Sequence, residues 1–410
     1  MRILQINTVA KSGSIARIMS GITECGLENG HEMYIAFGRG DAEGKAIYYK
    51  CANDINVVGH VLRNFILGES GFGSAKDTKT FIQWIEQIKP DVIHLHNIHG
   101  FYINVELLFD YIKKKQIPVV WTFHDCWPFT GHCAYYDSVD CDKWKSHCQS
   151  CDIHRSAYPY ALFKDNSYAV YERKKDAFTG VNDLTIITPS HWLEKEVKES
   201  FLKGYTVHVI PNGIDTDTFV PLKDKAVRHK YGIAEDRKVI LGVANRWEPR
   251  KGLSYFLRLA EDLQDNFLIV LVGMEKRQAT QLNRKYSDRI LALPRTNNVQ
   301  ELVELYNCAD VFVNPTLEDN FPTTNLEAMA CGIPVITFNT GGSAECITQE
   351  SGISVEKGNY QELLNVLLDF SAYKFTRETC AKQAQTYNKN KQYCKYFEIY
   401  ENSAKRNEII

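Results

Sequence analysis

A chain of 410 residues with 44% hydrophobic and 24% charged residues has room for two or three domains, at roughly 100–200 residues each. Its 48 Lys and Arg against 50 Asp and Glu leave no basic excess, which excludes a phosphate-neutralising nucleic-acid footprint. No stretch reaches the roughly 18 apolar residues that span a bilayer, and the N-terminus MRILQINTVAKSGS lacks the basic, apolar and cleavage regions of an export signal. The 12 cysteines are therefore expected as reduced thiols in a cytoplasmic protein.

Short β-branched runs alternate with longer amphipathic segments. Ile3–Asn7 predicts a first strand and Ile15–Asn29 a helix closed by Gly30. Met33–Phe37, Asp91–His96, Val119–Phe123, Leu184–Thr188 and Thr206–Ile210 predict further strands. The second half repeats the scheme at Val239–Val243, Phe267–Val272, Ile290–Leu293, Val311–Asn314 and Val335–Phe338, and Thr376–Arg406 reads as a polar helical tail rich in Tyr and Lys. The polar segment Gly213–Asp236, with Pro221 and no sustained period, is expected to link the halves. Strands separated by helical crossovers predict two doubly wound, mostly parallel sheets. The expected division is 1–215 with a returning C-terminal helix 388–410, and 216–387. Ligands of such sheets bind beyond the carboxyl ends of the strands.

Four segments carry candidate chemistry. Lys11-Ser12-Gly13-Ser14 follows the first strand and opens a helix; it reads either as a plain helix start or as backbone N–H groups at a helix N-terminus that receive a phosphate. Thr122-Phe123-His124-Asp125 puts a histidine at a strand end, where it reads as a structural group or as a partner for a sugar hydroxyl. Arg246-Trp247-Glu248-Pro249-Arg250-Lys251-Gly252 gathers cations after a core strand, which suits a diphosphate leaving group. Glu318-Asp319-Asn320-Phe321-Pro322 leads into a helix expected from Thr324 to Gly332. There Glu327 reads as a ligand for sugar or ribose hydroxyls, or as the acid of a Thr324-x-x-Glu327 capping box.

Together, Val209-Ile210-Pro211-Asn212-Gly213-Ile214-Asp215, the Arg246…Lys251-Gly252 element and the block Leu326 to Ile336 (LEAMACGIPVI) resemble glycosyltransferase family four, nearly end to end. The resemblance implies a GT-B fold, two facing Rossmann-like domains with a cleft between them. It implies a retaining, metal-independent transfer from a nucleotide-sugar donor such as a UDP- or GDP-sugar, held mostly by the C-terminal domain. The acceptor is a saccharide or lipid-linked saccharide of O-antigen or capsule type. It further implies that Arg246 and Lys251 hold the donor diphosphate, that Glu327 holds the ribose, that His124 and Ser190 lie near the donor sugar and phosphate, and that Gly13 and Ser14 let the N-terminal loop approach the phosphates. Asn320, Phe321 and Pro322 complete the donor loop. The family's first acid falls on Asp319 by spacing, in place of a glutamate, with Glu318 one position out of register. Retention in the family needs no enzymic nucleophile, so no general base is expected.

Other features stand outside that pattern. Cys133, Cys141, Cys148 and Cys151 read either as four thiolates around a structural zinc or as free or redox-active thiols. His94 and His96 share one strand face and invite a metal reading, but with no carboxylate or Cys to complete a site nearby they read as residues that line the cleft or satisfy loop carbonyls. The basic runs Lys113–Lys115 and Arg173–Lys175 read as solvated surface, with peripheral contact at an anionic inner membrane face as the alternative. The competing activity on this architecture is a nucleotide-sugar epimerase or hydrolase.

Overall fold

The computed structural model describes residues 1–222 and 226–408. Positions 223–225 of the expected linker, and the last two of the expected helix 388–410, lie outside the described residues. The chain forms two compact units, Met1–Pro211 with Gln392–Ile410, and Asn212–Lys391.

The first unit is built on β1 (Arg2–Val9), β2 (Glu32–Arg39), β3 (Ile47–Lys50), β4 (Val92–Leu95), β5 (Val119–Thr122), β6 (Leu184–Thr188) and β7 (Thr206–Val209). They form one parallel sheet in the order β3-β2-β1-β4-β5-β6-β7. Every residue of β4, β5 and β6 is buried, as expected of parallel strands covered on both faces. β3 lies at the sheet edge with no buried residue, and its sequence IYYK carries no apolar run that would announce it.

The polar tail is two helices, Arg377–Gln385 and Lys389–Glu408. The break between them is held by Ile214, whose N–H donates to the Tyr387 carbonyl and whose carbonyl accepts from Lys389, both at 2.8 Å. Beyond it, Tyr393, Tyr396, Phe397 and Tyr400 recur at helical spacing and pack against Ile3, Val92, Val120 and Ile187. Burying each such ring contributes about 1.5–3 kcal/mol, so an otherwise polar helix is fastened to the first sheet.

The second unit holds β8 (Lys238–Val243), β9 (Phe267–Met274), β10 (Ile290–Pro294), β11 (Val311–Asn314), β12 (Val335–Asn339) and β13 (Gly352–Glu356). These are parallel in the order β10-β9-β8-β11-β12-β13. Strand order reverses between β1 and β4 in the first sheet and between β8 and β11 in the second. Those are the points where a doubly wound sheet opens a crevice for a ligand.

Candidate functional site

In the second unit the loops after β8 and β11 meet at the reversal. Pro249–Lys251 forms a short 3₁₀ turn closed by Gly252 at φ +75°. A Cβ on Gly252 would stand 2.1 Å from the Pro315 carbonyl oxygen, so only glycine lets the two loops approach this closely. Backbone and side chain then join them. Leu317 N–H donates to the Arg250 carbonyl at 2.7 Å, and Arg250 Nη1 donates to the Glu318 carbonyl at 3.1 Å. Lys251 Nζ donates to Asp319 Oδ2 at 2.5 Å. The pair is mostly buried, with 24% and 15% of the two side chains exposed.

The carbonyl of Asp319 is cradled from β12's side of the sheet. Gly342 N–H donates to it at 3.3 Å. A Cβ on Gly341, at φ +54°, would lie 1.9 Å from it. Glu318, the acid one position out of register, is buried, and its backbone carbonyl is held by Arg250 and Thr316. The geometry therefore pairs Asp319, not Glu318, with Lys251. Phe321 is buried against Tyr387, and its carbonyl accepts from Asn212 Nδ2 at 2.9 Å. Asn320 is buried as well.

The capping-box reading of Glu327 does not hold. The helix runs Thr323–Ala330 with Pro322 at its N-cap and no side-chain cap. Starting one residue earlier than expected, it places Glu327 inside the helix, where its buried Oε2 accepts from Tyr306 OH at 2.8 Å. Arg246 is exposed, and its guanidinium has no partner among the described residues. It lines a cavity of about 760 Å³ beyond β8, β9 and β10, with Trp247, Glu275, Gln278 and Arg295. Lys251, Asp319 and Glu327 are not among the residues lining that cavity.

In the first unit, Gly13 is the N-cap of the helix Ser14–Glu28, at φ +90° and without a side-chain cap. Ser14 begins the helix and is exposed. Ser190 is buried and its Oγ accepts from Leu193 N–H at 3.2 Å, which makes it the N-cap of His191–Glu199. His124 follows β5, is partly exposed, and its Nε2 lies 3.0 Å from Nδ1 of the buried His96. Burial pushes the His124 imidazole down to about 4 against the opposing charge of Asp125. Asp125 itself is spent on Trp127 N–H at 3.0 Å and His99 Nε2 at 2.9 Å. His94 is also buried, bonded to Thr122 at 2.8 Å and to Tyr400 OH at 2.7 Å.

One surface reading is corrected in part. Lys174 is fully buried under the Trp127 ring and donates to the carbonyls of Trp127 and Thr130 at 2.7 and 3.0 Å. Arg173 forks onto Glu106 at 2.7 and 2.6 Å. Lys174 is thus a packing element and Arg173 an ion-pair partner, while Lys175 alone of the run is exposed as expected of solvated surface. Cys133, Cys141, Cys148 and Cys151 line one cavity of about 260 Å³ with His132. Burial pushes the Cys148 thiol up to about 12 and raises Cys151 also. Among the described residues, no group of three or more His, Cys, Asp or Glu side chains is placed to hold a metal ion.

Residues 22–218 match the model of Glycosyltransferase Family 4, and residues 223–387 that of Glycosyl transferases group 1. The chain belongs to this family of glycosyltransferases. It is 22% identical over 381 residues to a protein of Escherichia coli (strain K12) provisionally named a colanic acid biosynthesis glycosyl transferase, covering 89% of this chain and 90% of the relative. It is 29% identical over 195 residues to the UDP-Gal:alpha-D-GlcNAc-diphosphoundecaprenol alpha-1,3-galactosyltransferase of Escherichia coli, covering 43% of this chain and 53% of that one. The Anabaena protein HepE, solved in complex with UDP, superposes with a TM-score of 0.68 at 15% identity, over 98% of this chain and all of that one. The transferase thus has the two Rossmann-like parallel sheets of the GT-B fold. Tyr306, Gly341 and the base of the Arg246 cavity were missed by sequence reasoning, although the Thr340-Gly341-Gly342 turn after a core strand was a usable signal.

Proposed function

We propose that this transferase moves a sugar from a nucleotide-sugar donor, a UDP- or GDP-sugar, to a saccharide or lipid-linked saccharide acceptor during assembly of a surface polysaccharide. The observation that carries the reading is the Lys251–Asp319 pair, which joins the loops after β8 and β11, with the unpaired Arg246 on the same loop after β8. In this reading the 760 Å³ cavity takes the base, Arg246 and Lys251 hold the diphosphate, and Glu327, oriented by Tyr306, takes ribose hydroxyls. Asp319 takes sugar hydroxyls. The relative that uses UDP-galactose and a diphosphoundecaprenol-linked acceptor supports both substrate classes.

Transfer proceeds with retention and without a metal ion. The bond from C1 to the β-phosphate oxygen breaks, and the acceptor oxygen bonds to C1 on the same face. The departing phosphate oxygen takes the acceptor's proton. The protein supplies position and fixed positive charge for the developing diphosphate. The first unit takes the acceptor, and its helix N-terminus at Gly13 and Ser14, which has no side-chain cap, suits a phosphate group.

A lipid surface is the second partner in this reading. No helix among the described residues is long and apolar enough to cross a membrane. The helix Asp54–Leu67, however, exposes Ile55, Val58, Leu62 and Ile66 along one face, and Phe163 beside it donates its N–H to the Phe65 carbonyl. An aliphatic stripe of this kind on a surface helix suits the interface of a bilayer. The donor assignment is checked by titrating UDP and GDP into wild type, Arg246→Ala and Lys251→Ala. Weaker binding of the preferred nucleotide in both variants is expected; unchanged Kd in both would remove the diphosphate role.

A further inference from the structure

A chain of hydrogen bonds of fixed polarity runs from the helix Ser14–Glu28 to His124. Thr23 Oγ1 donates to the Met19 carbonyl at 2.8 Å, so its oxygen is left to accept from Gln5 Nε2 at 2.7 Å. Gln5 Nε2 also donates to the Met19 carbonyl at 3.2 Å. Two acceptors thus fix which end of the Gln5 amide is nitrogen, and Oε1 is the end 3.0 Å from His96 Nε2. His96 Nε2 must carry the proton. A neutral His96 then has a bare Nδ1, and 3.0 Å away His124 Nε2 must donate to it. Gln5 and His96 are both buried, and no carboxylate among the described residues is hydrogen-bonded to either; burial holds His96 well below its ordinary range, with the neighbouring His94 and His124 acting in the same direction.

We infer that Gln5 and His96 are positioning residues that lock His124 as its Nε2–H tautomer, so that its Nδ1, which has no partner among the described residues, faces substrate only as a hydrogen-bond acceptor. This rests on the reading of His124 as a sugar contact. The consequence is a selectivity: the group met by His124 is a donor, a hydroxyl or an amide N–H, and a carboxylate or phosphate oxygen there is repelled. The lock matters because a freely exchanging imidazole offers the acceptor in only part of the molecules, and apparent affinity falls by that fraction.

The test is ¹⁵N NMR of the histidine rings at neutral pH in wild type and Gln5→Met, with the exposed His208 as the internal reference for free exchange. Wild type is expected to show single Nε2–H tautomers at His96 and His124, with a scalar coupling across the His124 Nε2–H to His96 Nδ1 bond. Gln5→Met is expected to turn both into tautomer mixtures, and to lower turnover of the cognate donor about twofold without changing nucleoside diphosphate binding. A proton on His96 Nδ1, or unchanged tautomers in Gln5→Met, would overturn the lock. A donor panel separates this from the wider reading. If no nucleotide sugar is turned over, the transferase assignment fails while the tautomers still decide the lock. If a nucleotide uronate is turned over as fast as the neutral hexose of the same base, the acceptor role of His124 is wrong.

Discussion

Replacing Lys251 with alanine separates two uses of one ion pair. Lys251 and Asp319 are 2.5 Å apart and mostly buried, with 24% and 15% of the side chains exposed. If the pair only fastens two loops, the loss is one of stability. Exposed pairs are worth about 0–1 kcal/mol, and this more enclosed one about 1–2 kcal/mol, since Asp319 keeps partial access to water. For a unit of this size that is roughly 2–8 °C in Tm. If Lys251 also meets the charge that develops on the leaving diphosphate, removing it costs about 2–4 kcal/mol at the transition state, as loss of one fixed electrostatic donor does. At about 1.4 kcal/mol per tenfold, kcat/KM falls roughly 30- to 1000-fold. The assay is steady-state nucleoside diphosphate release beside a thermal melt, with Lys251→Arg as the charge-conserving control. The expected pattern is a small melt shift, a large loss for alanine and a loss within about tenfold for arginine. A variant that melts early but keeps kcat/KM within threefold would refute the reasoning.

Gly252→Ala forces a Cβ to within 2.1 Å of the Pro315 carbonyl at φ +75°; a melt lowered by about 5–15 °C, from roughly 2–4 kcal/mol of strain and overlap, is expected in differential scanning fluorimetry. Lys174 is pushed well below its usual range by burial. Between that depressed value and the ordinary 10.5 the unfolded chain binds the extra proton, so this group makes stability rise with pH across that window. Melting curves of wild type and Lys174→Met from pH 6 to 10 are expected to differ in slope, the wild type gaining stability as pH rises through this window and Lys174→Met lacking that gain. Leu62→Glu places a charge in the exposed stripe of Asp54–Leu67; co-sedimentation with anionic lipid vesicles is expected to fall at least several-fold while nucleotide binding in solution stays the same.

Much of the fold was legible because parallel strands covered on both faces write continuous apolar runs. Leu184–Thr188 and Val311–Asn314 were read to the residue. β3 and β13 escaped for the opposite reason, being short edge strands, β3 with no buried residue and β13 with exposed Ser354 and Glu356 interrupting its buried positions. The cations after β8 and the acids after β11 were visible as motifs, but their meeting depends on Gly252 passing under Pro315, a contact between residues 63 positions apart that no local pattern encodes. Glu327 looked like a cap because Thr324 stands three residues before it; the helix starts one residue earlier, and Tyr306 takes the carboxylate instead. Lys174 was misread because a buried lysine, satisfied by two carbonyls and an aromatic ring, is indistinguishable in sequence from its solvated neighbours. The pairing of His94 with His96 on one strand face was visible, but their roles and that of His124 were not, since the groups that set them, Gln5, Thr122 and Tyr400, come from other strands and the last helix.

The central claim is tested most directly by measuring nucleoside diphosphate release from UDP-, GDP- and ADP-sugars, with and without mixed saccharide and lipid-linked acceptors, in wild type, Lys251→Ala and Glu327→Ala. Release from one donor class that rises with acceptor and collapses in both variants is expected. Release that ignores the acceptor, or that survives both substitutions, would contradict it.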